Sequence, residues 1–153
     1  MERYKAEVIW TRGDDAFLDN RYSRRHLLRF DGGVEVIGSA SPHIVPLPYS
    51  LEHAVDPEEA FVSALSACHM LWFLSLAADA NFVVDSYHDQ AVGQMESLVL
   101  GRKWIAIVSL HPSVKFSGDR VPTPNQIDRL HEDAHRLCFI ANSVRTTVRY
   151  FPC

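Results

Sequence analysis

The chain is poor in the features that assign a protein quickly. Among its 153 residues there are only three cysteines, Cys68, Cys138 and Cys153, and no Lys/Arg run longer than Arg24-Arg25. The formal net charge is −4, which argues against a nucleic-acid binder, because such proteins carry a basic face. Three scattered cysteines cannot make a disulfide scaffold and point to a reducing compartment. The opening "MERYKAEVIWTRGDD" lacks the basic-then-apolar order of an export signal, and its alternation reads as a strand. The expected location is the cytoplasm. Repeats, low-complexity tracts and a dividing linker are also missing, so residues 1–153 are expected to form a single domain.

What the chain does have is one conspicuous segment. "AFVSALSACHMLWFLSLAA", residues 60–78, contains no formal charge and places Cys68 and His69 at its centre. Its length is enough to cross a bilayer. Its flanks are wrong for that: "VDPEE" precedes it and Asp79 follows, with no basic residue at either end. A helix apolar on every side is then expected at the centre of a fold or an oligomer. Asp56 suits the N-cap, Pro57 the first helical position and Glu59 a capping box, and the helix is expected to run to about Ala80.

Around this helix the pattern is β-rich. Residues 3–12 alternate, and residues 22–30 and 33–38 flank "DGG", a hairpin turn signal. "SPHIVPLPYS" is a proline-rich loop. Residues 82–99 and 104–116 read as strands broken near Gly101, and "VRTTVRYF" as a terminal strand. A second helix starts at Thr123-Pro124, with Ile127, Leu130, Ala134 and Leu137 as its apolar stripe and Cys138 at its end. The order of elements predicts an α+β domain with a mostly antiparallel sheet wrapped around a long buried central helix.

Two blocks, "VDPEEAFVSALSACHM" and "EDAHRLCFIANSVRTTV", resemble the OsmC/Ohr family of thiol-dependent hydroperoxide reductases. The resemblance lies in a glutamate ten residues before a cysteine (Glu58, Cys68), followed later by His-x-x-Cys and a Ser/Asn pair (His135, Cys138, Asn142, Ser143). It implies an intertwined homodimer with active sites at its interface and no bound cofactor or metal. Cys68 would be the peroxidatic thiol and Cys138 the resolving thiol, forming a Cys68–Cys138 disulfide after the sulfenic acid. An organic hydroperoxide would be the substrate and an external dithiol, of the lipoyl type for example, the reductant. Glu58 and a basic strand residue would be polar support. Arg24 is chosen for that residue because, on a strand, it shares a face with His26, Leu28 and Phe30, with Arg25 as the alternative. His26, His69, Phe61 and Phe139 are the candidate substrate contacts. Phe139 stands where many relatives have proline, and His69 directly follows the expected nucleophile; with these departures the chain resembles a less characterised branch of that family.

The spacing adds a physical constraint. Ten helical residues advance about 15 Å, so Glu58 and Cys68 of one straight helix cannot share a site. An antiparallel copy crossing near Ser63, where Ala60, Ala64 and Ala67 are also small, would bring Glu58 of one chain to Cys68 of the other. A break in the helix is the alternative. Two other functions compete. His131, His135 and Cys138 fall on one stripe of the second helix and, with Cys68 or His69, could enclose zinc. A non-enzymatic domain could instead hold a small ligand in an apolar cavity. Cys153 is expected to be a bystander.

Overall fold

The computed structural model describes residues Met1 to Cys153. The chain forms two compact units, Met1–Ala60 and Phe61–Cys153. The first is a three-stranded antiparallel meander of β1 (Ala6–Ile9), β2 (His26–Phe30) and β3 (Glu35–Gly38). In its register Leu28 lies opposite both Val8 and Val36. The β2–β3 turn is the expected one at Asp31-Gly32-Gly33, where Gly33 takes φ +82°, a conformation that costs glycine nothing. Leading away from β3, the proline-rich loop is fixed by hydroxyls: Ser50 donates to Val45 O at 2.7 Å, and Ser39 Oγ accepts from Leu51 N.

Helix α1 spans Pro57–Asp79 without a break. Its start is the predicted capping box: Glu59 N–H donates to Asp56 Oδ1 at 2.7 Å, and Glu59 Oε2 accepts from Asp56 N–H at 3.2 Å. Its end is a Schellman arrangement. Asn81 takes φ +59°, Asn81 N–H donates to Ala78 O and Phe82 N–H to Ala77 O. Asparagine serves there because its short polar side chain tolerates the left-handed region. Every fourth residue along one face is buried: Leu65, His69, Phe73 and Ala77.

The two β-rich runs of the sequence each divide into two strands, more than their patterns predict. β4 (Val83–Asp89) pairs antiparallel with β7 (Pro112–Ser117). β5 (Val92–Ser97) pairs antiparallel with β6 (Lys103–Leu110), and β6 pairs parallel with the terminal β8 (Thr147–Tyr150). Helix α2 (Pro124–Leu137) begins with the capping box of Thr123 and Gln126. The α+β class and the predominance of antiparallel pairing therefore match the sequence reading.

Two apolar clusters hold the Phe61–Cys153 unit together. Phe73 and Ala77 of α1 meet Leu130 and Ala134 of α2, with Val84, Val114 and Phe116 of β4 and β7 packed on them. Further along α1, Leu65 meets Val108 and Leu110 of β6, with Phe61, Val148 and Tyr150 beside them. β5 approaches α1 so closely at Gly93 that a Cβ there would lie 2.6 Å from Val62 Cγ2. Gly93→Ala must push the strand off the helix, and we expect it to cost about 1–3 kcal/mol in urea unfolding.

Candidate active site

The two helices bring the sulfurs together. Cys68 lies half-buried midway along α1, and Cys138 is buried at the C-cap of α2, 1% exposed. The Cys68 thiol is within hydrogen-bond reach of Cys138 Sγ, which also accepts from Ala141 N–H at 3.3 Å. Both thiols are free. Burial first, and then the neighbouring Cys68, push the Cys138 thiol up to about 11, so it is protonated at neutral pH. A protonated, shielded thiol beside a more accessible one can form a disulfide with little movement.

Beside the sulfurs is a row of imidazoles. His69 Nε2 and His131 Nδ1 lie 3.0 Å apart, and both residues are buried, at 1% and 0% exposure. The rings are nearly parallel, 9° between planes, and Tyr150 packs against both. His135, the next turn of α2, also faces Tyr150. Burial is the main reason that both paired imidazoles are lowered to about 4; His135 adds to the effect on His69, and His69 to that on His131. Asp89 opposes the shift at His69. That carboxylate ties three elements, accepting from Ser66 Oγ of α1 and from His111 N–H ahead of β7.

This placement corrects one sequence expectation. His69 was expected among the substrate contacts; it instead points to the interior, on the buried stripe with Leu65 and Phe73. A second difference concerns the strand position expected for Arg24. β2 begins only at His26, and Arg24 precedes it. Its guanidinium satisfies itself on backbone carbonyls of Asn20 and Tyr22, each at 2.6 Å, and lies 3.8 Å over the Tyr22 ring. Carbonyl oxygens and a ring face are thus its partners in this conformation. Arg25 is exposed, and Arg29 pairs with Glu35 at 2.7 Å and Glu7 at 3.1 Å.

Other expected site residues have plain positions. His26 Nδ1 lies 2.9 Å from Arg24 O, and its ring fills the space where a side chain at Gly38 would begin. Glu58 is half-buried in the first turn of α1, and the continuous helix keeps it about 15 Å along the axis from Cys68. Phe61 is spent in the core with Leu65 and Val108. Phe139 is 66% exposed and stands edge-on to Trp72. No three His, Cys, Asp or Glu side chains converge as metal ligands. His131 Nδ1 faces His69 Nε2, and the expected zinc stripe does not close around a common point. An open groove of about 550 Å³, lined by Leu74, Ala78 and Asn81 to Val84, contains neither of the paired thiols.

Asp89, Ser66 and Tyr150 were not singled out as neighbours of the thiols. His131 was, but only as a possible zinc ligand with His135, Cys138 and Cys68 or His69, not as a hydrogen-bond partner of His69.

The family model for OsmC-like proteins matches residues 50–150, which include both cysteines and the two helices that carry them. The chain belongs to the OsmC family. An OsmC-like protein of unknown function from Vibrio cholerae is 51% identical, with all of both chains covered and a TM-score of 0.97. More distant members share the fold. An organic hydroperoxide resistance protein from Elizabethkingia anophelis is 18% identical over 99% of this chain and 94% of its own, with a TM-score of 0.70. The organic hydroperoxide resistance protein OhrB of Bacillus subtilis is 17% identical over 99% and 98%, also at 0.70. No curated protein matches by sequence. For this OsmC-family chain the α+β class is thus shared along the whole length of its relatives.

The lowered imidazoles make stability depend on pH. An unfolded histidine titrates near 6.5, whereas His69 and His131 in the fold titrate near 4. As pH falls between those values the unfolded state takes up protons first, so stability present above 6.5 is lost, on the order of 3 kcal/mol for one such site. Urea midpoints from pH 7 to 4 should show this loss. A chain with both His69→Gln and His131→Asn, which keep amide groups but do not titrate, should lose less over the same range.

Proposed function

We propose that this protein is a cysteine-based peroxidase that reduces organic hydroperoxides to alcohols. The observation that carries the reading is the pair of free thiols, one accessible and one shielded, within hydrogen-bond reach across α1 and α2. The kinship with organic hydroperoxide resistance proteins supports the same chemistry.

The Cys68 thiolate attacks one peroxide oxygen. An S–O bond forms, the O–O bond breaks, and the departing alkoxide takes a proton and leaves as alcohol. Cys68 is then a sulfenic acid. Cys138 attacks its sulfur, the S–S bond forms as the S–O bond breaks, and hydroxide takes the Cys138 proton to leave as water. An external dithiol, of the lipoyl type for example, returns both thiols and becomes a disulfide itself. Trp72 and the exposed Phe139 offer an apolar approach to Cys68 that favours alkyl over hydrogen peroxide.

The thiolate requires a cation. Arg24 is the proposed source, after leaving its carbonyl contacts, and Arg25 is the alternative; Glu58 of a second copy holds the guanidinium. The second copy is supported by α1 itself. Its outward stripe of Ala64, Ala67, Leu71, Ser75 and Ala78 is exposed, with Leu71 at 63%, and small residues allow another helix to approach closely. Two chains related by a twofold axis make two equal sites. The compartment proposed for this reaction is the cytoplasm.

One equivalent of an alkyl hydroperoxide should remove two thiols per chain and leave a Cys68–Cys138 disulfide detectable by peptide mass. Cys68→Ser should abolish peroxide consumption, and Cys138→Ser should stop after one turnover at the sulfenic acid. Multiple turnovers by Cys68→Ser would refute the assignment and favour a non-enzymatic ligand-binding role. If Glu58 acts across the dimer, equal amounts of inactive Glu58→Gln and inactive Cys68→Ser chains, refolded together, should regain about a quarter of wild-type activity. In that mixture half the dimers are mixed, and one of their two sites is whole.

A further inference from the structure

Disulfide formation in the proposed peroxidase depends on how firmly Cys138 is held against Cys68, and the reading below rests on that pair being redox-active. The thiols belong to different helices, and a buried side-chain hydrogen bond joins these helices: His69 Nε2 to His131 Nδ1, 3.0 Å. His69 directly follows Cys68 in α1. His131 lies two turns before Cys138 on the same rigid helix, α2. From the geometry we infer that His69 and His131 are positioning residues, whose shared hydrogen bond holds the resolving thiol of α2 in register with the peroxidatic thiol of α1.

The chemistry of two facing imidazole nitrogens makes this hold conditional. One must carry a hydrogen and the other must be bare, so the bond requires at least one of the two rings to be neutral. Burial of both rings ensures that state at neutral pH. The outer nitrogens, His69 Nδ1 and His131 Nε2, are buried without a partner. The inner bond is therefore the only protein hydrogen bond that repays the burial of these two rings, and it is costly to lose. The groups around the pair leave little slack. Phe73 lies 4.3 Å from the His131 ring centre, Tyr150 covers both rings from β8, and His135 and Asp89 act on His69 from α2 and β4.

The two rings use different nitrogens, which supplies an internal control. A glutamine amide reaches the place of Nε2, and an asparagine amide the place of Nδ1. His69→Gln and His131→Asn can therefore keep the bond, whereas His69→Asn and His131→Gln put an amide of the same chemistry in the wrong place. The measurement is the equilibrium between the dithiol and the Cys68–Cys138 disulfide in buffers of reduced and oxidised glutathione at pH 7.5. Each glutathione disulfide accepts two electrons and gives two glutathione thiols. No peroxide takes part, so a protein that is not a peroxidase still gives a result, and failure here leaves the peroxide reaction to its own test.

We expect His69→Gln and His131→Asn to stay within about threefold of wild type, and the two misplaced amides to weaken the disulfide about tenfold or more. Equal effects in all four variants would overturn the inference, as would failure of His69→Gln or His131→Asn to fold. A measurement on the unaltered chain decides the matter if the misplaced amides do not fold. The reduced wild type should show a ¹⁵N–¹⁵N coupling through the hydrogen bond between His69 Nε2 and His131 Nδ1, and its absence would also overturn the inference.

Discussion

Two uncharged rings, His69 and His131, meet by one hydrogen bond in the interior of the Phe61–Cys153 unit, and the placement of the candidate chemistry follows from that meeting. An imidazole on a buried face must surrender its charge or find an anion. Here each ring is the polar partner of the other, so α1 can continue its buried stripe through a histidine without a break. The same stripe turns Cys68 to the side of the helix. There it is half-buried and faces the end of α2, where Cys138 sits. A leucine at position 69 would satisfy the pattern of the stripe but would specify the height of α2 less narrowly.

A second constraint comes from the apolar character of α1. The helix is fixed at its entry by Asp56 and Glu59 and at its exit by Asn81 and Phe82, so its length is set locally and not by the partners it packs against. Inside those limits only one face is covered within the chain. Ala64, Ala67 and Leu71 remain on the outside, although nothing in their chemistry prefers water. That uncovered side is the face on which the proposed second copy would lie, and the ten-residue interval from Glu58 to Cys68 is what the proposal uses to bring the two chains' residues together.

The sequence made the fold legible where local chemistry decides. The capping boxes at Asp56 and Thr123, the Asp31-Gly32-Gly33 turn and the thiol-bearing positions of both helices are all written in short stretches of residues. The four-strand division between residues 83 and 117 was less visible, because a one- or two-residue break at Gln90-Ala91 or His111 carries no strong turn signal. Side-chain destinations were harder still. Face alternation assigned Arg24 to a strand that begins two residues later, and its guanidinium donates to backbone carbonyls that no sequence pattern marks. His69 was expected to contact substrate, whereas its position in the fold is set by its neighbours at every fourth residue. A contact such as His69 to His131, between residues far apart in the chain, leaves no local trace.

The parallel pairing of β8 with β6 has an effect on how the protein is made. Tyr150, at the end of β8, covers the imidazole pair, and β6 gains its second neighbour only through this strand. During synthesis Cys68 leaves the ribosome long before Cys138, and longer still before Tyr150 can close over the rings. While synthesis advances the 70 residues from position 68 to position 138, the nascent chain holds Cys68 without Cys138. In the proposed peroxidase, the thiol that would condense with a Cys68 sulfenic acid is therefore missing during that interval.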